Sequence, residues 1–298
     1  MAVFADSRCL LCQLERNLKT ARKLGTEEQA TAFAKDLMAL LSSAPEGVPA
    51  PFFTPGVTKL FHDHYGLSMD RYAQEKKDSN AFVLARMDDI RGKVEASEDP
   101  VLTGLKFAIL GNYIDFAALR DQVSFEQLDE MLLSALDMEL DMENFASLRA
   151  DLEKGRKLLY LTDNAGEIGF DRIFAEEIQK KYPHLQITFC VRGGPAANDA
   201  TREDAAEVGI PFPVIDNGNL VPGTLLELLG EEAKQAFETA DVILSKGQGN
   251  VETLSGKKLY PVCVFQFVDM FCYRRLGNAQ FFGGFCKAQL VGNRQECP

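Results

Sequence analysis

The chain has 298 residues, 46% hydrophobic and 26% charged, a globular composition with enough length for two domains around substantial cores. A net charge of −12 with no Lys/Arg cluster large enough for a basic face excludes nucleic acid as a partner. It also means that an anionic substrate needs a bound cation or a local basic group to enter. No apolar run approaches the ~20 residues of a membrane span, and Met1–Cys9 has neither the basic start nor the apolar stretch of a secretory signal.

Seven scattered cysteines, an odd number in a chain this long, argue against a disulfide framework and for a reducing compartment. A cytoplasmic protein with no membrane contact is expected.

The first half is helical in pattern. Leu10, Leu11, Leu14, Leu18 and Ala21 recur at helical spacing across Cys9–Leu24. Thr26 followed by Gln29 is a capping box that opens a second helix through Leu41. Ala44–Pro51 is rich in helix breakers and reads as a loop. Further helices are predicted at Pro55–Tyr65, Met69–Ala96, Pro100–Arg120 and Phe125–Met138. With no strand signal before Leu152, residues 1–152 read as an all-helical domain or cap.

The pattern changes near Lys154–Arg156. Short apolar runs predict strands at Lys157–Leu161, Gln186–Val191, Phe212–Ile215, Val242–Leu244 and Leu259–Phe265. Helical stretches at Ile168–Tyr182, Arg202–Val208 and Leu225–Ala240 lie between them. Alternation of this kind predicts an α/β domain over residues 153–298, a Rossmann-like parallel sheet flanked by helices. In such sheets ligands bind at the carboxyl ends of the strands.

Three strand ends carry polar or flexible residues. The first is Asp163-Asn164-Ala165-Gly166-Glu167. The second runs from Arg192 through Asn198-Asp199-Ala200-Thr201, with Thr201 and Asp204 reading as the cap of the next helix. The third is Ser245-Lys246-Gly247-Gln248-Gly249-Asn250-Val251-Glu252. If the loops converge, Asp163, Asn164 and Asp199 make an all-oxygen donor set for Mg²⁺, Mn²⁺ or a similar ion. Lys246 and the glycine-rich turns, Gly166 and Gly247 among them, would hold an anion beside backbone N–H groups. Taken one at a time, these residues equally suit a capping Asp, a solvated Lys and turn glycines.

Other signals are weaker. Neither Gly193-Gly194 nor Gly247-x-Gly249 forms a dinucleotide fingerprint, and no Walker A sequence is present. His62, His64 and His184 lie far from the three loops in sequence and read as surface or structural residues. Cys9-x-x-Cys12 lacks the second pair of a zinc site and reads as a helix-face pair.

Together, in order and spacing, the three motifs resemble those of the damage-control phosphatases, the domain of unknown function 89 family. The helical first half and Cys9-x-x-Cys12 look like its compact microbial branch. The resemblance implies a helical N-terminal domain on a Rossmann-like domain, with a divalent metal (Mg²⁺, Mn²⁺, Co²⁺ or Ni²⁺) on Asp163, Asn164 and Asp199. It implies Glu167 and Lys246 on the phosphate side, with Asn250 and Glu252 near it. The implied activity is metal-dependent hydrolysis of small phosphometabolites such as sugar phosphates, with Asp163, Glu167 and Lys246 as the catalytic set. After its last strand the chain departs from the family, reading Phe267-Val268-Asp269-Met270-Phe271-Cys272 where a Lys-Ala-Lys-Cys-like segment is expected.

Three other readings differ in chemistry. An aspartyl-phosphate route through Asp163 would want Asp-x-Asp, and Ala165 stands at the second position. A non-catalytic phosphometabolite-binding module would bind without turnover. A carboxyl methyltransferase, an activity also proposed for one branch of the family, would want a glycine-rich first loop that this chain lacks.

Overall fold

The computed structural model describes residues 5–111 and 134–254, and the backbone of residues 262–266 and 289–292. Helix α1 (Ser7–Leu24) opens at Asp6, whose carboxylate accepts the Arg8 and Cys9 N–H groups. Helix α2 (Glu27–Ser42) carries the Thr26/Gln29 capping box in full. With α3 (Thr54–Tyr65), these helices close a separate small core on Phe33, Leu37, Phe53 and Phe61.

The long helix expected at Met69–Ala96 is two helices, α4 (Ala73–Leu84) and α5 (Met87–Glu95). Arg86 breaks it. Its guanidinium stacks 3.6 Å from the Phe82 ring centroid and donates to the Phe82 carbonyl, satisfying an orphan acceptor at the end of α4. Helix α6 (Pro100–Leu110) follows, with Asp99 as its cap and Pro100 in the first turn. The predicted remainder to Arg120, and Phe125–Met138 apart from a short turn at Ala135–Asp137, lie outside the described residues. Helix α7 (Met142–Lys154), not singled out from the sequence, leads into the sheet.

The sheet contains β1 (Lys157–Leu161), β2 (Gln186–Val191), β3 (Val214–Asp216), β4 (Val242–Lys246), β5 (Val262–Gln266) and β6 (Gln289–Gly292). Their order is β3-β2-β1-β4-β5-β6, with β1 to β5 parallel and β6 antiparallel to β5. Helices α8 (Glu167–Lys181), α9 (Arg202–Glu207), α10 (Glu231–Thr239) and α11 (Gln248–Leu254) connect the strands. The helix expected at Leu225–Ala240 begins only at Glu231. Gly230 caps it and donates to the Asn217 carbonyl, which bends the chain away from a short turn at Leu226–Leu228. The strand expected at Phe212–Ile215 starts later, at Val214; of Leu259–Phe265, residues 262–265 lie in β5 and 259–261 lie outside the described residues, and β6 was not expected from the sequence.

Alternation along β1 divides the core. Leu158 and Tyr160 face a cluster with Leu105, Leu148, Leu152, Phe174 and Phe189, so α6, α7 and α8 pack on one face of the sheet. Leu159 and Leu161 face Ile243, Ala233 and Leu254 on the other. Helices α6 and α7 therefore share a core with the strands, as expected for a parallel sheet buried on both faces. Among the described residues no helix is long and apolar enough to cross a membrane.

Phe174 is fully buried against Tyr160 in the main cluster. Phe174→Ala should cost about 3–5 kcal/mol of stability, measured by urea unfolding. A loss below about 1 kcal/mol would mean that this face of the sheet is not the core described.

Candidate functional site

The strand order places β1 between β2 and β4, and connections leave the sheet in opposite directions there. This is the switch point where α/β folds bind ligands. The end of β1 supplies Asp163 and Asn164, the segment after β2 supplies Asp199, and the end of β4 supplies Lys246 and Gly247.

Backbone bonds join the first two loops. The Ala200 N–H donates to the Asp163 carbonyl at 2.7 Å, and the Ala165 N–H donates to the Asn198 carbonyl at 2.9 Å. Ala197 sits at φ +53°, left-handed backbone that a non-glycine residue holds at a cost, immediately before Asn198 and Asp199. The Asn198 amide donates to Asn164 Oδ1 at 2.9 Å. Asn164 Nδ2 in turn donates to Asp163 Oδ2 at 3.0 Å and Glu167 Oε2 at 3.1 Å.

Ser245 and Lys246 are the last residues of β4 rather than part of a loop, and the residues from Gln248 onward form α11. Only Gly247 turns the chain between them. It holds φ +85°, and a Cβ built there would lie 2.0 Å from the Asp163 carboxylate. Asn250 is fully buried. Its Nδ2 donates to the Thr162 carbonyl at 3.1 Å and the Lys246 carbonyl at 2.7 Å, while its Oδ1 accepts the Thr224 hydroxyl. Asn250 thus ties the end of β1 to the end of β4. Glu252, two residues on, is partly exposed and accepts from Gln248.

Lys246 is buried, with its ammonium between two carboxylates of α8. It pairs with Glu167 and, at 2.6 Å, with Asp171. Tyr160 donates its hydroxyl to the same Asp171 oxygen at 2.8 Å. Burial works against the Lys246 charge, but Asp171 and Glu167 outweigh it and hold the ammonium above its usual value. Burial raises the Asp171 carboxyl to about 7, with Lys246 pulling it down and Glu167 pushing it up. Across the loop, Arg192 is fully buried, donating through Nε to Asp199 at 2.5 Å and through Nη2 to the Thr162 carbonyl. Burial raises Asp199, and Arg192 pulls it back in part. Asp163 stands well above the ordinary carboxylate range, from burial first and then from the charges of Asp199 and Glu167.

Asp163, Asn164 and Asp199 are therefore brought together, and they are the residues that could hold a metal. The donor chemistry fits a hard divalent ion, because positive charge would relieve the repulsion that raises Asp163. Among the described residues no group of three or more His, Cys, Asp and Glu side chains is arranged for a metal ion, so such a site would draw on the Asn164 amide.

Sequence reasoning assigned no role to Arg192, Asp171, Tyr160, Lys76 or Asn80. Asp171 was detectable as the i+4 partner of Glu167 on an otherwise apolar face of α8. Lys76 and Asn80 lie in a charged stretch that gives no sequence sign of burial. His62 contacts the Leu67 carbonyl, His64 contacts Asp36, and His184 packs on Tyr182. Cys9 and Cys12 are free thiols on α1. The segment Phe267–Cys272 lies outside the described residues.

The chain belongs to the family defined by the damage-control phosphatase ARMT1-like domain, whose model matches residues 5–273. An uncharacterized protein of Methanocaldococcus jannaschii is 33% identical over 256 residues, 83% of this chain and 82% of that protein. A protein of Archaeoglobus fulgidus named damage-control phosphatase is 35% identical, over 65% of this chain and 67% of its own length. The crystal structure of a DUF89 family protein from Pyrococcus horikoshii matches with a TM-score of 0.77 at 25% identity, covering 97% of this chain and 99% of that one. The Rossmann-like sheet with its helical N-terminal region is thus the fold of that family.

Asp171 yields a pH prediction. An unfolded chain releases this proton near 3.8, whereas the folded protein keeps it up to about 7. Stability should therefore fall as pH rises between those values and level off above them. Asp171→Asn, followed by urea unfolding of metal-free protein from pH 4 to 8, should remove that part of the slope; an unchanged slope would refute the assignment.

Proposed function

We propose that this protein is a metal-dependent phosphatase acting on small phosphorylated metabolites such as sugar phosphates. The observation that carries the reading is the convergence of Asp163, Asn164, Asp199 and Lys246 at one switch point, in a chain whose family includes proteins named damage-control phosphatase.

In this reading Asp163, Asn164 and Asp199 hold a divalent ion. When bound, such an ion supplies positive charge against the phosphate oxygens and makes water easier to deprotonate. The remaining steps belong to the chain. Asp163 and Asp199 supply negative charge, and Arg192 keeps the Asp199 carboxylate in one orientation through its 2.5 Å bond. Asn164 holds Asp163 and Glu167 in register through one amide nitrogen. Glu167 orders the attacking water or takes its proton. Lys246 fixes the Glu167 carboxylate and contributes positive charge behind it. Gly247 keeps a side chain away from the Asp163 carboxylate, whereas Gly166 lies against Ser79 and gives its N–H to Asn80.

A panel of sugar and nucleotide phosphates assayed with Mg²⁺, Mn²⁺, Co²⁺ and Ni²⁺ should show metal-dependent phosphate release. Asp163→Ala should lower it by roughly 10³-fold or more, matching the several kcal/mol that a metal supplies, with circular dichroism unchanged. Full activity in that variant would sink the mechanism.

Gly247→Ala is a second probe, because its methyl group would fall on the Asp163 carboxylate in a backbone conformation that alanine resists. It should abolish phosphate release in a folded protein. Retention of wild-type kcat would show that Asp163 does not need its observed position.

A further inference from the structure

The helical half reaches the strand ends through one face of α4. We infer that Asn80 is a positioning residue of the metal site, whose amide sets the spacing between the loop of Asp163 and Asn164 and the loop of Asp199. This rests on the proposed ligand set and deepens it by assigning part of the metal affinity to a helix outside the sheet.

Asn80 is fully buried. Its Oδ1 accepts the Gly166 N–H at 2.6 Å, two residues beyond Asn164. Its Nδ2 donates to Asp204 Oδ1 at 3.0 Å and to Glu207 Oε2 at 2.6 Å. Asp204 in turn closes the capping box on Thr201, two residues beyond Asp199, by accepting the Thr201 N–H and hydroxyl at 2.8 Å. One planar amide therefore bridges both loops. Lys76, one turn earlier on α4, reinforces the second arm by pairing with Asp204 at 2.6 Å.

The first arm has no slack. Gly166 holds φ +77°, and a Cβ there would meet the Ser79 carbonyl oxygen at 3.0 Å, so the α4 backbone lies against the turn. A partner of ligating side chains that is removed typically lowers metal affinity 10–100-fold. Asn80 bonds the Gly166 N–H and the α9 cap rather than a ligating side chain, so it acts one step further out and that range is the upper bound of its effect.

The test reads Mn²⁺ binding by electron paramagnetic resonance titration, without turnover, on full-length wild-type protein and four variants. These are Asp163→Ala, Asn80→Ala, Asn80→Asp and the double variant Asn80→Asp/Asp204→Asn, each verified by circular dichroism. Wild type should bind Mn²⁺ and Asp163→Ala should not. Absence of binding, or binding undiminished by Asp163→Ala, overturns the ligand assignment itself and this inference with it.

Given wild-type binding that depends on Asp163, Asn80→Ala should weaken it severalfold, up to about 10–100-fold. Asn80→Asp should weaken it at least as much, because it removes the donor to Asp204 and adds charge beside Glu207. The double variant exchanges donor and acceptor across the same bond at constant total charge and should bind more tightly than Asn80→Asp. Wild-type affinity in Asn80→Ala overturns the inference. So does a double variant no tighter than Asn80→Asp, a comparison that decides the matter if Asn80→Ala does not fold.

Discussion

Charge burial at the carboxyl end of β1 is the constraint on which the other features of the site depend. Asp163, Glu167, Asp171, Asp199 and Asp204 are all buried there, with Lys76, Arg192 and Lys246 among them. A buried charge without a partner costs several kcal/mol, so each cation is committed to particular carboxylates. Lys246 serves Glu167 and Asp171, Arg192 serves Asp199, and Lys76 serves Asp204. Among the described residues no cation pairs with Asp163, the carboxylate that lies against Gly247. The excess of negative charge is thus concentrated at one strand end instead of being spread over the cluster. In the proposed function a divalent ion would meet that charge, and it would reconcile a chain of net charge −12 with an anionic substrate.

Pairing of this kind also imposes rigidity. A guanidinium with a 2.5 Å bond and an ammonium held by two carboxylates leave little rotational freedom, and both lie at strand ends whose last three residues are buried. Asn250 adds a backbone tie between β1 and β4, and Asn80 adds one between the first two loops. Two asparagines thus act as rivets. An amide suits this work because it donates and accepts in one plane without adding charge to a cluster that already carries too much.

The α/β class was legible because a buried parallel strand is a short apolar run, and Lys157–Leu161, Gln186–Val191 and Val242–Leu244 are such runs. The convergence of Asp163, Asp199 and Lys246 followed from the rule that polar residues after successive strands share one edge of the sheet. Local patterns could not reveal which charged residues are internal. Lys76 and Asn80 sit in Gln74–Asn80, a stretch whose composition is that of a solvated helix face. They are buried because α8 and α9 supply carboxylates and N–H groups from more than eighty residues away in sequence. Helix breaks were illegible for a related reason: Arg86 ends α4 through a side-chain bond to its own helix, in a segment without Gly or Pro.

The division of labour within the molecule follows from these contacts. In the proposed function the strand ends would treat any phosphate ester alike, so discrimination between esters would have to come from the walls around them. One wall is α11, which packs against the short turn Ala50–Phe53 of the helical half. On that helix Asn250 spends its amide on the sheet, whereas Glu252 is partly exposed and its charge is felt by Cys9 on α1. The N-terminal helices, which have a core of their own, therefore come up against the rim of the site through α11, while α4 grips its floor. In the proposed function a change in those first three helices would reach the site through α11 and leave the loop of Asp163 held by α4, which would separate the choice of substrate from the chemistry done on it.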